Sequence, residues 1–208
     1  MFFALWPDHA LQLALANAAQ RVVLACGGRA MPPENFHITL AFVGSVPASQ
    51  VAKVEAVGYQ VAIQVERGPV QLAMDAIEYW KKAGIVCAVA HEPQSTGALP
   101  SPGTAGALPR GTAGARPPAT ASARLADKLS TTLKSRLTAA GFTPDLKPFR
   151  AHVTLARKVS HPIPTMDMDA VVWRFTEFAL VDSRTGPGGS AYRVLTSFPW
   201  GSNEGFDP

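Results

Sequence analysis

The chain is poor in cysteine and in charge, and it has no apolar run long enough to cross a bilayer. Cys26 and Cys87 are its two cysteines, and their spacing suggests neither a disulfide framework nor a zinc site. Charged residues make up 16% of 208 residues, and the net charge of +4 is too small for a protein that coats nucleic acid. The N-terminus also lacks the basic start of a secretory signal. We therefore expect a cytoplasmic globular protein with reduced thiols and no membrane contact.

One internal stretch lacks large side chains almost completely. Residues 92–122 are mostly Gly, Ala, Pro, Thr and Ser, and GTAGALPR at 103–110 is nearly repeated as GTAGARPP at 111–118. Such a composition cannot bury apolar surface. We predict a single two-lobed domain over residues 1–208, interrupted by a disordered low-complexity insertion at 92–122. An expanded surface loop, which costs little free energy, is favoured over a docking segment.

The full sequence is 47% hydrophobic, and outside residues 92–122 it has the apolar patterns of an α+β protein built from two related halves. The predicted helices run from Pro7 or Asp8 to Gly27, from Ser45 or Ser49 to about Val57, and from Ser122 to Ala140. The predicted strands are Phe2–Trp6, Phe36–Val43, Val70–Trp80, Ile85–Ala90, Arg150–Lys158, Val171–Asp182 and Ala191–Phe198. A turn over Ser183–Ser190 joins the last two strands.

A short motif occurs once in each half. Residues 36–40 read FHITL and residues 151–155 read AHVTL, so each copy contains His, a β-branched residue, Thr and Leu. Alternate side chains of a strand share a face, roughly 6.6 Å apart, so His and Thr in each copy can both reach one phosphate-sized group. A pair of ordinary half-buried strands is the alternative, and it is favoured only for a single copy taken alone.

Two histidines on separate strands suit paired acid–base chemistry, because imidazole titrates near neutral pH. A neutral His37 or His152 can accept a proton from water while the other, protonated, gives one to a leaving oxygen. Thr39 and Thr154 can donate hydrogen bonds to phosphate oxygens. A zinc site would need three or four ligands, and neither motif has a further histidine or carboxylate at ligand spacing. We therefore predict a site without metal.

Arg157 follows His152 by five positions, which places it on the opposite face of a regular strand. It reaches the phosphate only if the strand ends or bulges near Ala156. A solvated arginine at the end of the strand is the equal alternative.

These motifs resemble the paired HxTx motifs of the two-histidine (2H) phosphoesterases. The wider segment from Pro32 to Gly44, the opening FFALWP and the late YRVL resemble in particular the RNA 2′,3′-cyclic phosphodiesterases, also called the 2′-5′ RNA ligase family. The likeness spans most of the chain outside 92–122. Ala151 departs from the proline that is common there in the family.

The resemblance implies a pseudo-symmetric, two-lobed α+β fold of antiparallel sheets with outer helices and a central cleft. It implies an enzyme that opens a 2′,3′-cyclic phosphate at an RNA 3′ end to a 2′-phosphomonoester, without metal or nucleotide cofactor. By this resemblance His37 is the proton donor and His152 the proton acceptor, while Thr39, Thr154 and Arg157 bind phosphate. We expect a monomer whose partner is an RNA 3′ end.

Three points stay open on sequence grounds. The protein could be a non-catalytic binder of nucleotides or RNA ends, although two titrating groups are not needed for binding alone. It could also be a 2H enzyme that acts on 2′-5′ linkages. A base-stacking residue would be aromatic, and the candidates Trp6, Phe42 and Phe149 are each more typical of a core.

Overall fold

The computed structural model describes residues 1–65, 69–90, 121–186 and 189–200. The helices in these ranges are α1 (His9–Ala25), α2 (Val51–Gln64) and α3 (Ala121–Ala139). The strands are β1 (Phe2–Leu5), β2 (Arg29–Ala30), β3 (Ile38–Phe42), β4 (Val70–Trp80), β5 (Ile85–Ala90), β6 (His152–Arg157), β7 (Met166–Phe175), β8 (Glu177–Gly186) and β9 (Gly189–Pro199). Short 3₁₀ turns lie at Pro33–Asn35 and Ala48–Gln50. In these parts of the chain no helix is both long and apolar enough to span a membrane.

The strands form two antiparallel sheets. One has the order β3-β1-β8-β9 and the other the order β2-β6-β5-β4-β7. Each sheet contains one of the two motif strands, β3 or β6. The predicted α+β class with antiparallel sheets is confirmed.

Local sequence explains the ends of the first helix. The Asp8 side chain accepts a hydrogen bond from Leu11 N at 2.8 Å, so this residue caps α1 as predicted. The helix ends at Cys26, and Gly27 takes the left-handed conformation with φ of 61° that glycine adopts without strain.

The helices cover the outer faces of the sheets and share one apolar core with them. Helix α3 shows the pattern most clearly, because its leucines recur every four residues. Leu129, Leu133 and Leu137 are fully buried and Leu125 is partly buried. Burying one such side chain contributes about 2 kcal/mol, which ties α3 firmly to the sheets.

The second helix differs from its prediction. It begins at Val51 after a 3₁₀ turn rather than at Ser45 or Ser49, and no side chain caps its first turn. It also continues past Val57 to Gln64, because Val61 and Ala62 extend its buried stripe. Gly58 lies within it because the ring of Phe198 occupies the space that a Cβ would need.

The strand predicted over Val171–Asp182 is wrong, since two strands occupy this stretch. Strand β7 pairs with β4 in one sheet, and β8 pairs with β1 in the other. The chain changes sheets at Thr176, whose carbonyl accepts a hydrogen bond from Trp200 N. Much of the predicted Ser183–Ser190 turn is also strand, because β8 and β9 stay paired out to Gly186 and Gly189. The two-residue strand β2 has no clear signal in the sequence.

The predicted insertion at 92–122 falls outside the described residues, apart from its last two positions. Those two residues, Ala121 and Ser122, already belong to α3. The helix therefore begins one residue before the predicted start.

Candidate active site

The inner faces of the two sheets line a cleft of about 970 Å³. All five residues predicted from the motifs lie on its wall, namely His37, Thr39, His152, Thr154 and Arg157. By contrast, His9 and His161 are exposed and lie outside it, and His91 is outside the described residues. The fold therefore brings the two motif histidines into one cleft.

A β-bulge follows the threonine in each motif strand. In β3, Thr39 pairs with Ala4 but Ala41 pairs with Phe3, so Leu40 is an extra residue. In β6, Thr154 pairs with Cys87 but Ala156 pairs with Val86, so Leu155 is the extra residue. A bulge of this kind shifts the alternation of side chains by one position.

The bulge in β6 decides the position of Arg157. Beyond Leu155 the alternation is shifted, so Arg157 returns to the face of His152 and Thr154 and lines the cleft. The bulge in β3 does the same for Phe42, which is 52% exposed and also lines the cleft. Phe42 and Arg157 thus occupy equivalent positions in the two strands.

Each bulge carbonyl has a partner outside the ladder. Leu40 O accepts from the buried Ser130 hydroxyl at 2.7 Å. Leu155 O accepts from Met31 N at 2.8 Å. Because these buried acceptors are satisfied, the bulges are stable features of the fold.

The main chain fixes the orientation of both imidazoles in the same way. His37 Nδ1 lies 2.7 Å from Asn35 O, and His152 Nδ1 lies 2.7 Å from Arg150 O. A carbonyl oxygen only accepts, so Nδ1 carries the proton in each ring. In the neutral form the lone pair therefore lies on Nε2, and for His37 this atom is 3.1 Å from Thr39 Oγ1. Each histidine is set to exchange a proton through Nε2.

Aromatic rings surround His37. These rings, together with His37 and Thr39, are called the first half-site. Phe2 and Trp6 stack on the imidazole with centroid distances of 4.7 and 5.3 Å, and Tyr192 meets it edge-on at 5.3 Å. Burial lowers the pKa of His37 to about 4, and the charges of His152 and Arg157 act in the same direction. The hydrogen bond to Asn35 O opposes this shift only in part.

A mixed aromatic and charged group surrounds His152, and we call it with His152 and Thr154 the second half-site. The Trp80 ring lies 4.4 Å from the imidazole, and the Arg150 guanidinium lies over the same indole at 5.0 Å from its ring centre. Burial lowers the pKa of His152, the hydrogen bond to Arg150 O raises it, and the charges of Arg150 and Arg157 lower it further.

Sequence reasoning missed several side chains of the site. Phe2 and Tyr192 line the cleft, as do Trp80 and Arg150. Phe2 gives no signal because both faces of β1 are buried, and Arg150 precedes β6, outside any strand. Three aromatic residues were candidates for base stacking. Of these, Phe42 and Phe149 line the cleft, whereas Trp6 packs on His37.

The residue types around the cleft define what it can bind. The hydroxyls of Thr39 and Thr154 and the guanidinium groups of Arg150 and Arg157 offer donors to an anion, and two imidazoles offer proton exchange. Within the described ranges, no three side chains of His, Cys, Asp or Glu come together as a metal site requires.

Several known proteins are similar to this chain in sequence or in fold. The family model described as LigT like Phosphoesterase matches residues 5–87. The RNA 2′,3′-cyclic phosphodiesterase of Thermus thermophilus is 28% identical over 200 residues, which are 95% of this chain and 88% of that protein. The crystal structure of TT0787 from T. thermophilus has a TM-score of 0.66 at 26% identity, with 95% of this chain and 96% of that chain covered. E. coli LigT complexed with 3′-AMP shares the fold, with a TM-score of 0.72 at 20% identity over 97% of both chains.

The fold is that of the crystal structures of E. coli LigT and of TT0787. The chain matches the LigT-like phosphoesterase model over residues 5–87, which confirms the resemblance drawn from its two motifs. It is an enzyme that acts on phosphoric ester bonds.

Proposed function

We propose that the protein is an RNA 2′,3′-cyclic phosphodiesterase that opens the cyclic phosphate at an RNA 3′ end to a 2′-phosphomonoester. One observation supports this proposal above all: two histidines with Nδ1 held by the main chain share a cleft with Thr39, Thr154 and Arg157. The name of the T. thermophilus relative supports the same substrate.

The proposed reaction is one in-line displacement at phosphorus. His152 Nε2 takes a proton from water as the water oxygen forms a bond to phosphorus. The bond between phosphorus and O3′ breaks, and O3′ receives a proton from Nε2 of protonated His37. The phosphate stays on O2′, and proton exchange with solvent returns both histidines to their starting forms.

Thr39, Thr154 and Arg157 hold the non-bridging phosphate oxygens in this proposal. Their two hydroxyls and one guanidinium lie on the same wall as the histidines. Donors fixed before the reaction stabilise the charge that develops on these oxygens, which is often the largest catalytic effect.

The donor role of His37 requires the bound phosphate. With a pKa of about 4, only about one His37 in a thousand is protonated at pH 7 in the free protein. A phosphate anion beside the ring favours the imidazolium and raises this fraction. Substrate binding therefore creates the proton donor, and His152, whose pKa burial also lowers, is the neutral acceptor at the start.

Phosphorus NMR of an oligoribonucleotide with a 2′,3′-cyclic phosphate, incubated with the protein in EDTA, tests the proposal. We expect the cyclic signal to decay while a 2′-monoester signal grows. A 3′-monoester would keep the enzyme class and exchange the roles of His37 and His152. An unchanged cyclic signal would refute the proposed activity, and oligonucleotides with a 2′-5′ linkage or a binding assay would then identify the substrate or a binding role.

A further inference from the structure

A carboxylate connects two side chains of the second half-site that stand next to His152. Glu78 Oε2 accepts from Trp80 Nε1 at 2.8 Å, and Glu78 Oε1 accepts from Arg150 at 2.6 Å. The Arg150 guanidinium also lies 5.0 Å from the Trp80 ring centre. Glu78, Trp80 and Arg150 therefore form a closed group in which each member contacts the other two.

Both contacts that orient the His152 ring come from members of this group. The Trp80 ring lies against the imidazole at 4.4 Å, and Arg150 O accepts from Nδ1. Glu78 bonds to the side chains of these same two residues. Through them it can act on His152.

The strand register puts Glu78 in line with the catalytic strand. Glu78 pairs with Cys87, and Cys87 pairs with Thr154, so the three residues form one row across β4, β5 and β6. The Glu78 side chain is only 15% exposed. A largely buried carboxylate is costly unless paired, and here both of its oxygens are used.

The first half-site is held differently. There, Phe2, Trp6 and Tyr192 pack on the imidazole, and Asn35 is held by its own side-chain bond to Ser190 O at 3.3 Å. Packing and neutral hydrogen bonds therefore suffice to hold one histidine of this cleft. The charged group of Glu78, Trp80 and Arg150 around His152 therefore indicates a role beyond packing.

We propose that Glu78 is a positioning residue, which fixes Trp80 and Arg150 and through them the orientation of His152 toward the attacking water. This inference rests on the proposed function, in which His152 accepts the proton of that water. A small displacement of a catalytic group already lowers the rate of the chemical step considerably.

Glu78→Gln is the main test, because it keeps the size of the side chain but loses the charge that holds Arg150. We expect kcat to fall about tenfold with KM nearly unchanged, since the phosphate-binding groups are untouched. Trp80→Phe removes the hydrogen bond to Glu78 while keeping an aromatic ring, and it should lower kcat in the same direction by a smaller factor. The matched control is Glu55→Gln, which also removes a hydrogen-bonded carboxylate but lies outside this cleft.

The pKa of His152, read by proton NMR without substrate, separates positioning from stability. The charged or titratable groups around this ring are Arg150 and Arg157 on its own segment, Glu78 on β4 and His37 across the cleft. When Trp80 and Arg150 loosen, the ring gains water and loses a nearby positive charge. Its pKa should therefore rise in Trp80→Phe, where Glu78 keeps its charge.

Three results decide the matter. A lower kcat in Glu78→Gln and Trp80→Phe, with a raised pKa of His152 in Trp80→Phe, would support the proposal. A wild-type kcat in both variants, or a lower melting temperature with no change in the pKa of His152, would overturn it. If the wild-type protein itself opens no cyclic phosphate while the pKa of His152 still rises, the proposed function fails and the positioning group stands. Should Glu78→Gln not fold, Trp80→Phe decides alone.

Discussion

The two half-sites of the cleft share one backbone arrangement and differ in the side chains that surround the histidine. Both motif strands carry His, Thr and then a leucine bulge, and both place alanine directly after it. Both histidines bond to the carbonyl two positions earlier at 2.7 Å. The surroundings differ. Three aromatic rings pack around His37, whereas Trp80 and the ion pair between Arg150 and Glu78 lie next to His152.

The main chain thus fixes the geometry of both imidazoles alike, and burial lowers the pKa of both. Burial lowers the pKa of His37 to about 4. Two imidazoles placed alike by the main chain therefore differ in the side chains that lie against them. The following changes test that difference.

Removing either imidazole should have the largest effect. We expect His37→Ala and His152→Ala each to lower kcat by about a thousandfold, because each removes a proton-transfer group. Steady-state hydrolysis of a 2′,3′-cyclic nucleotide measures this loss. His161→Ala, a change at an exposed histidine outside the cleft, is the control and should leave the rate intact. A near-normal rate in either test variant would exclude that histidine from the chemistry.

Arg157 and Phe42 occupy equivalent positions after the two bulges. Truncating each to alanine therefore compares the catalytic contribution of a charged side chain with that of an aromatic ring. Arg157→Ala should lower kcat/KM by about a hundredfold, since it removes a charged donor to the phosphate. Phe42→Ala should chiefly raise KM, by about tenfold, because an exposed ring in the cleft offers a face for a nucleobase. Kinetics on cyclic nucleotides check both values. Equal losses in kcat for the two variants would contradict this division of roles.

The motif residues could be predicted from the sequence because alternation along a strand is a local property. The position of Arg157 stayed open because a bulge depends on pairing with another strand. The signal was present, since Leu and Ala stand side by side after each threonine and break the alternation. Consecutive apolar residues at 40–41 and 155–156 are both buried, as a bulge requires.

Other features could not be read from the sequence. The carbonyls of Asn35 and Arg150 that orient the histidines carry no side-chain signal. Glu78 and Arg150 are separated by 72 positions and meet only through the sheet. The change of sheets at Thr176 likewise depends on the strands that pair with β7 and β8, whereas the local pattern over Val171–Asp182 predicts one strand.

The pH dependence should move when substrate binds. In the free protein the pKa values of both histidines are lowered, so both limbs of the kcat/KM profile should lie below the ordinary histidine pKa of about 6.5. The bound phosphate raises them, so the kcat profile should lie about one pH unit higher. The apparent values belong to the coupled pair. Profiles of kcat and kcat/KM that coincide would show that the phosphate does not create the proton donor.

The bulge in β3 depends on a single buried hydroxyl. Ser130→Ala leaves Leu40 O without its donor, and we expect a loss of about 1–3 kcal/mol in the free energy of unfolding. Because the bulge directs Phe42 into the cleft, KM should rise by a few-fold, at most about fivefold. Urea denaturation and steady-state kinetics measure the two effects. Ser160→Ala, at an exposed serine bonded to Gly27 O, is the control for loss of a hydroxyl.

The smallest effect should come from Cys87→Ala, which places alanine opposite the threonine in both half-sites. Ala4 pairs with Thr39 where Cys87 pairs with Thr154, and both small residues are fully buried. Burial raises the pKa of Cys87 to about 12, so the thiol stays protonated and takes no part in proton transfer. Cys87→Ala should therefore cost about 1 kcal/mol of stability and change kcat by less than about threefold. A large loss of kcat would mean that the hydrogen bond between Cys87 and Thr154 orients this threonine. Thr39 has no such bond, because Ala4 stands opposite it.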